Sequence, residues 1–213
     1  MLIRLVLCAI LTATWATASQ AETYLAGQAG ANFPQRLSQM DWSASGTTVR
    51  SNDFNLAQSG AYGIKIGHYL DSFKWIGVES DLYYSTPSLK QQNLTIAGAN
   101  FGTAEGIKQR MVIWAPLNFM IRIPIGPFEP YAGGGAAASW SHLKFSGAES
   151  HAVDVGYNGV AGLRIKLMDH VGLFGEYKYV AINLHHRDID GTGIDIKAHY
   201  RTQLVMFGVS IHF

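Results

Sequence analysis

Cysteine is nearly missing from this chain. The one example, Cys8, lies in the leader described below, so the remainder has neither a disulfide nor a thiol for chemistry. Long hydrophobic runs are missing too. Although 48% of residues are hydrophobic, no segment after the leader approaches the roughly 20 apolar residues that a membrane-spanning helix needs. Nor does charge of one sign prevail: Lys and Arg number 16 and Asp and Glu 15, and setting aside Arg4 leaves 15 against 15. A balance of that kind gives no electrostatic reason to expect nucleic acid as a partner. Glycine and aromatics are abundant instead, with 23 Gly, 10 Tyr, 10 Phe and 5 Trp. High apolar content that never gathers into a long run is what alternation produces, and alternation means strands.

Residues 1–21 carry Arg4, an apolar run over 5–11 and small residues ending in Ser19-Gln20-Ala21. That order describes a secretory signal peptide, with cleavage expected after Ala21 and Ala18 as the alternative. A membrane-anchoring helix is the competing reading, but the apolar run is too short to span a bilayer. Cys8 stands too early to be a lipoprotein acylation site, because Ala9, Ile10 and Leu11 still follow it. Residues 22–213 read as one domain, with no linker or low-complexity tract.

From Met111 the odd positions run Ile113, Ala115, Leu117, Phe119, Ile121 and Ile123, while the even ones include Arg110, Asn118 and Arg122. Successive strand side chains point to opposite faces, so the segment has one apolar face and one mixed face. Pro116 interrupts it; a proline cannot donate to the ladder, so a bulge is expected there, across which the inward and outward assignment slips by one, Trp114 being most affected. The same alternation recurs over 24–33, 59–70, 75–86, 109–123, 128–145, 151–167, 171–185 and 199–213, which makes eight strands. Their connections alternate in length. Tight turns at 71–74, 124–127 and 168–170 face long polar segments at 34–58, 87–108 and 186–198, with 146–150 a short exception. Up-and-down membrane barrels have short turns on the periplasmic side and longer loops outside. Closure is required, because an open sheet edge in hydrocarbon leaves backbone groups unpaired.

At the end of the chain Val205, Phe207, Val209, Ile211 and Phe213 share one face, with Gly208, Ser210 and His212 on the other. Two further stretches stand out: Phe128-Glu129-Pro130-Tyr131-Ala132-Gly133-Gly134-Gly135, and Gly162-Leu163-Arg164-Ile165-Lys166-Leu167 followed by Glu176-Tyr177-Lys178-Tyr179. On these features the chain resembles the superfamily of small outer-membrane barrels that includes OmpA, OmpX and OmpW. The resemblance implies an eight-stranded antiparallel up-and-down transmembrane β-barrel in a bacterial outer membrane. It also implies that the alternating residues 205–213 are the signal read by the barrel-assembly machinery. It specifies a fold rather than an activity, and the peptidoglycan-binding function of full-length OmpA is not implied.

If apolar positions face lipid, the opposite positions face the lumen: Lys65, Glu79, Asp81, Arg110, Arg122, Asp154, Arg164, Lys166, Glu176 and Lys178. A charge at bilayer depth must point inward to a partner or to water. Lys65 is expected near Glu79 and Arg164 near Glu176, across two of the tight turns. These charges form either a structural ion-pair network or a gated small-solute pathway, and an eight-stranded interior is just wide enough for side chains to fill. Nucleophilic catalysis requires a nucleophile, a base and a group orienting the base. Ser139, Ser141 and His142 are fragments of such a set, as are Ser210 and His212, but no acidic residue is obvious beside the latter, and no His-x-Ser pattern of lipid A deacylases is present. His185, His186, Asp188, Asp190 and His199 could supply metal ligands, although adjacent strand residues diverge, and no metal or cofactor is expected. Tyr24, Trp75, Tyr83, Tyr84, Trp140, Tyr177, Tyr179 and Tyr200 read as an interfacial aromatic girdle.

The expected function is therefore structural, surface-interacting or adhesin-like and non-enzymatic. A narrow channel for small or hydrophobic solutes is the alternative, and lipid A modification a third. Expected partners are outer-membrane lipid and lipopolysaccharide, the assembly machinery and a host or surface ligand at the long loops; a monomer is expected.

Overall fold

The alternating segments are strands in the computed structural model, which describes residues 22–44, 47–96, 99–104, 108–145, 148–186 and 195–213. The expected leader lies outside these residues. Twelve strands follow in order: β1 Glu22–Pro34, β2 Ser38–Ala44, β3 Thr47–Arg50, β4 Ser59–Tyr69, β5 Ile76–Ser85, β6 Gln92–Ile96, β7 Ala99–Ala104, β8 Lys108–Arg122, β9 Phe128–Phe145, β10 Ala148–Met168, β11 Val171–His186 and β12 Asp195–His212. Eight of them, β1, β4, β5 and β8 to β12, pair antiparallel in that order, and β1 also pairs with β12 to close a barrel. All eight expected strands are present. The four additional ones form hairpins within two long connections, β2 with β3 and β6 with β7. No helix among the described residues is long and apolar enough to cross a membrane.

The closing seam runs from Tyr24 opposite His212 to Pro34 opposite Thr202. Paired residues can be followed around the wall from Tyr24 through Gly67, Glu79, Asn118, Gly135, Asn158, Val180 and Thr202, returning to β1 at Pro34. The residue numbers 24 and 34 set a stagger of ten residues for eight strands. Stagger and strand number fix the tilt, here within the usual range of roughly 35–45°. At the short-turn end Gly126, with φ +59°, lets a tight turn join Ile125 to Phe128, whose backbones exchange hydrogen bonds of 2.7 and 3.1 Å.

Pro116 marks a bulge. Trp114 and Leu117 stand opposite Ala138 and Ala136, and against β5 Ala115 and Asn118 oppose Asp81 and Glu79, so β8 carries one extra residue relative to both neighbours. The side-chain pattern changes phase there. Met111, Ile113 and Ala115 are buried in the barrel, whereas Leu117, Phe119 and Ile121 are exposed outside. The unbroken apolar face expected over 111–123 is thus two half-faces on opposite sides of the wall. The same shift corrects Arg110, which is exposed rather than in the lumen.

Outside, Ile64, Phe119, Val155, Leu173 and Phe207 form part of an apolar belt. Tyr62, Trp114, Trp140 and Tyr157 lie toward its long-loop end, and Trp75, Phe73 and Phe128 at the other. Trp114 stacks on Trp140 with centroids 6.1 Å apart. Tyr24, Tyr83 and Tyr200, expected in this girdle, are instead buried inside. Tyr24 reaches across the lumen face to cover Gly67, where an added Cβ would lie 2.4 Å from its ring. Beyond the long-loop end, Asp41 on β2 stands opposite Arg50 on β3, and hydrogen bonding from that guanidinium holds the Asp41 carboxyl below its usual range.

The phase change gives a direct test. With single variants Ile113→Cys and Phe119→Cys, a lipid-soluble thiol reagent is expected to label only the second in reconstituted membranes. Equal labelling of both would place the bulge elsewhere.

Candidate functional site

Inward-facing positions at mid-wall carry charge because the alternation that puts Ile64, Ile66 and Leu82 outside puts Lys65 and Asp81 inside. Lys65 on β4 lies 3.1 Å from Glu79 on β5 and also pairs with Glu176 across the lumen on β11. Lys178, two residues along from Glu176, is 3.2 Å from it and pairs with Asp81. Gln28 joins the group, donating to Asp81 at 2.6 Å and accepting from Lys178 at 2.9 Å. The Tyr24 and Tyr131 hydroxyls donate to Glu79 and Glu176 at 2.5 and 2.6 Å.

A second cluster sits nearer the short turns. Glu22 contacts Arg122 at 2.6 Å and Lys166 at 3.5 Å. Glu129 contacts Lys166 at 2.9 Å and both Arg122 and Arg164 at 3.5 Å. Arg122 also donates to the Lys74 carbonyl at 2.7 Å and lies 3.7 Å over the Tyr69 ring. Arg164, expected beside Glu176, is held by Glu129 and by the face of Tyr24 at 4.2 Å. In the two clusters Lys65, Arg122, Arg164, Lys166 and Lys178 balance Glu22, Glu79, Asp81, Glu129 and Glu176, five charges of each sign.

Of the ten residues assigned to the lumen from sequence, eight meet in these clusters. Arg110 is outside, and Asp154 stands apart, accepting a 2.9 Å hydrogen bond from the His185 backbone N–H. Glu22 and Glu129 were missed. Their signal was parity, since each lies two residues before an inward tyrosine, Tyr24 and Tyr131. Toward the long loops charge thins out to Asp154, and apolar side chains pack among the buried polar groups of Asn32, Ser85, Ser139 and Thr202. Met111, Ile113, Ile182, Leu184 and Tyr200 pack there with Leu56, and Leu37 and Leu89 cover them from the long connections.

Ser210 and His212 do have an acidic neighbour. The His212 ring is 2.8 Å from the Ser210 hydroxyl through Nε2 and 2.6 Å from Glu22 through Nδ1. The order of groups is that of an activated nucleophile, but Ser210 is fully buried and Glu22 is shared with Arg122 and Lys166. The contact therefore works as a polar clasp across the β1/β12 seam. Ser139 and Ser141 are buried inside, while His142 stacks on His151 with centroids 4.3 Å apart. Asp188 and Asp190 lie outside the described residues, and among those described no group of three or more His, Cys, Asp or Glu could hold a metal.

Breaking a buried pair strands a charge, at a cost of about 3–5 kcal/mol, whereas replacing both partners by apolar residues is often neutral. Lys178→Met is thus expected to destabilise the folded barrel by about that amount, and Asp81→Leu added to it to recover most of the loss. Urea unfolding in detergent micelles checks both; equal stability of Lys178→Met and the parent would contradict the network.

A family model described as outer membrane protein beta-barrel domain matches residues 3–213. Among solved structures, OprG from Pseudomonas aeruginosa is similar with a TM-score of 0.64 at 14% identity, over 91% of this chain and 96% of that one. Neisserial surface protein A follows with a TM-score of 0.52 at 15% identity, over 91% and 99%. The outer membrane protease OmpT from Escherichia coli, at 0.44 and 9% identity over 92% and 98%, is too distant to speak to activity. No curated protein sequence matches. The two nearer likenesses concern the fold, and the family match spans nearly the whole chain. This chain belongs to the outer membrane protein β-barrel domain family, and its place is the bacterial outer membrane.

Proposed function

We propose that this protein is a closed, monomeric, non-enzymatic barrel that anchors a folded platform at the cell surface, with a structural or adhesin-like role. The observation that supports this reading is the filling of the lumen: balanced ion pairs from mid-wall to the short-turn end, then an apolar cluster roofed by Leu37 and Leu89. An eight-stranded interior is just wide enough for side chains to fill it, which leaves no room for a water-filled channel. The platform has structure of its own. Leu37 and Phe54 exchange backbone hydrogen bonds of 2.8 and 3.0 Å, and Asn52 bridges the two long connections through Thr95 at 2.8 Å and Asn93 at 3.0 Å. Loops on a rigid scaffold are the usual carriers of recognition, and a host or surface ligand belongs there.

Val205, Phe207, Val209, Ile211 and Phe213 all face outward along the last strand, which supports their being read by the assembly machinery before the seam closes. Lipid and lipopolysaccharide surround the wall, and a nearly neutral chain has no electrostatic call on nucleic acid.

The expected outcome is fractionation with the outer membrane, heat-modifiable migration in detergent gels and no discrete conductance in planar bilayers. A reproducible single-channel conductance from the heat-modifiable species would replace this reading with the narrow channel.

A further inference from the structure

The β9–β10 hairpin brings two histidines together above the barrel wall. His142 on β9 stands directly opposite His151 on β10, and their rings stack with centroids 4.3 Å apart and planes 17° from parallel. Alternation puts both outside. Ser141 and Ala152 beside them are buried, whereas Trp140 and Val153, two positions nearer the membrane, are exposed. Two residues of strand correspond to about 7 Å. The pair therefore stands beyond the ring of Trp140, clear of the hydrocarbon and open to water, with His151 exposed.

Other histidines are engaged by different groups. His212 is held by Glu22 and Ser210, His68 Nδ1 lies 2.9 Å from the Thr23 hydroxyl, and His185 lies 3.9 Å from Asp195. Among the described residues, His142 and His151 are where one imidazole lies against another.

A neutral imidazole keeps a lone pair on one ring nitrogen, and such nitrogens suit the late first-row divalent cations, Cu2+ above the rest. Metal–nitrogen bonds of about 2.0–2.1 Å place two ligand nitrogens on one ion roughly 3 Å apart. The two ring centroids are already only 4.3 Å apart. Histidine turns about its Cβ–Cγ bond in a broad well, so a modest rotation of each ring aims one nitrogen of each at a shared point. The backbone need not move, because the ladder between the strands already sets the separation of the two side chains. No third His, Cys, Asp or Glu joins them among the described residues, so water would complete the coordination shell and the ion would be exchangeable. Hard cations such as Mg2+ prefer oxygen donors, which this pair does not offer.

We propose that His142 and His151 form a two-imidazole site for a late first-row divalent cation, Cu2+ foremost, which ties β9 to β10 above the membrane. Arg110 on β8 stands opposite His142 on its other side and is exposed. Its positive charge opposes a cation and would favour an anion, so its removal separates the two kinds of ligand by sign.

The test titrates the folded barrel in detergent micelles with Cu2+ and, separately, with Mg2+, read by calorimetry and by the electron paramagnetic resonance of the copper. The tightest Cu2+ equivalent is expected to show hyperfine splitting from two nitrogens, and Mg2+ is expected not to compete with it. His151→Phe keeps a ring in the stack but removes its nitrogens. It is expected to weaken Cu2+ binding by about tenfold or more, since loss of even an outer partner of a metal ligand costs that much, and to leave one nitrogen in the spectrum. Where His151→Phe does not give a heat-modifiable barrel, His142→Phe serves in its place with the same expectation. His199→Gln leaves the pair untouched and should bind as the parent does, and Arg110→Gln should bind as tightly or more tightly. Unchanged binding in the phenylalanine variant overturns the proposal, as does loss of binding in His199→Gln or in Arg110→Gln. Competition by Mg2+ at similar concentration also overturns it, because the ligands would then be oxygens.

Discussion

Every backbone N–H and C=O that enters hydrocarbon needs a partner, and no water is there to supply one. For a chain built of strands, this forces the first strand onto the last. The pairing of Tyr24 with His212 through to Pro34 with Thr202 is therefore the contact on which the others depend. Once the seam is closed with a stagger of ten residues, tilt and interior width follow. The side chains on alternate positions then have two destinations only, lipid or lumen.

The lumen solves a problem that closure creates. Half the positions of each strand look into a space too narrow for bulk water, and charged groups there need partners. The five cations and five carboxylates are distributed over seven strands, so every pairing except that of Lys178 with Glu176 fixes one strand's register against another. A slip of one residue would turn Lys65 or Asp81 out to lipid. Buried ion pairs are poor sources of net stability because desolvation offsets their attraction. Their contribution here is to make wrong registers costly. Aromatic rings laid over glycines, as Tyr24 lies over Gly67, fill the space that the charges leave.

Much of this was legible in the chain. Strand number, the short and long connections and eight of ten lumen charges follow from period-two alternation, because a one-sided lipid environment writes that period strongly. Failures arose where the period was read in the wrong phase or carried no signal. Arg110 and Met111 were placed on the wrong sides because an extra residue at Pro116 shifts the phase above it. Tyr83 and Tyr200 were assigned to the girdle from residue type, although their neighbours' parity put them inside. The Ser38–Ala44 and Gln92–Ile96 hairpin strands are largely polar in sequence, so no apolar period marks them. Arg164 has Glu129 directly opposite on the preceding strand, a neighbour passed over in favour of Glu176 on the following one.

The seam does not end where the first strand does. Above Pro34, the last strand continues upward, and β2 takes over its free side, with Ile196 opposite Trp42 and Asp195 opposite Ser43. A strand rising out of a membrane with one side bare would invite pairing with any extended segment it met, including a neighbouring copy. By folding its first outer connection onto that side, the chain covers the exposed edge with its own backbone. The platform is thus also a guard against sheet-to-sheet association on a crowded cell surface.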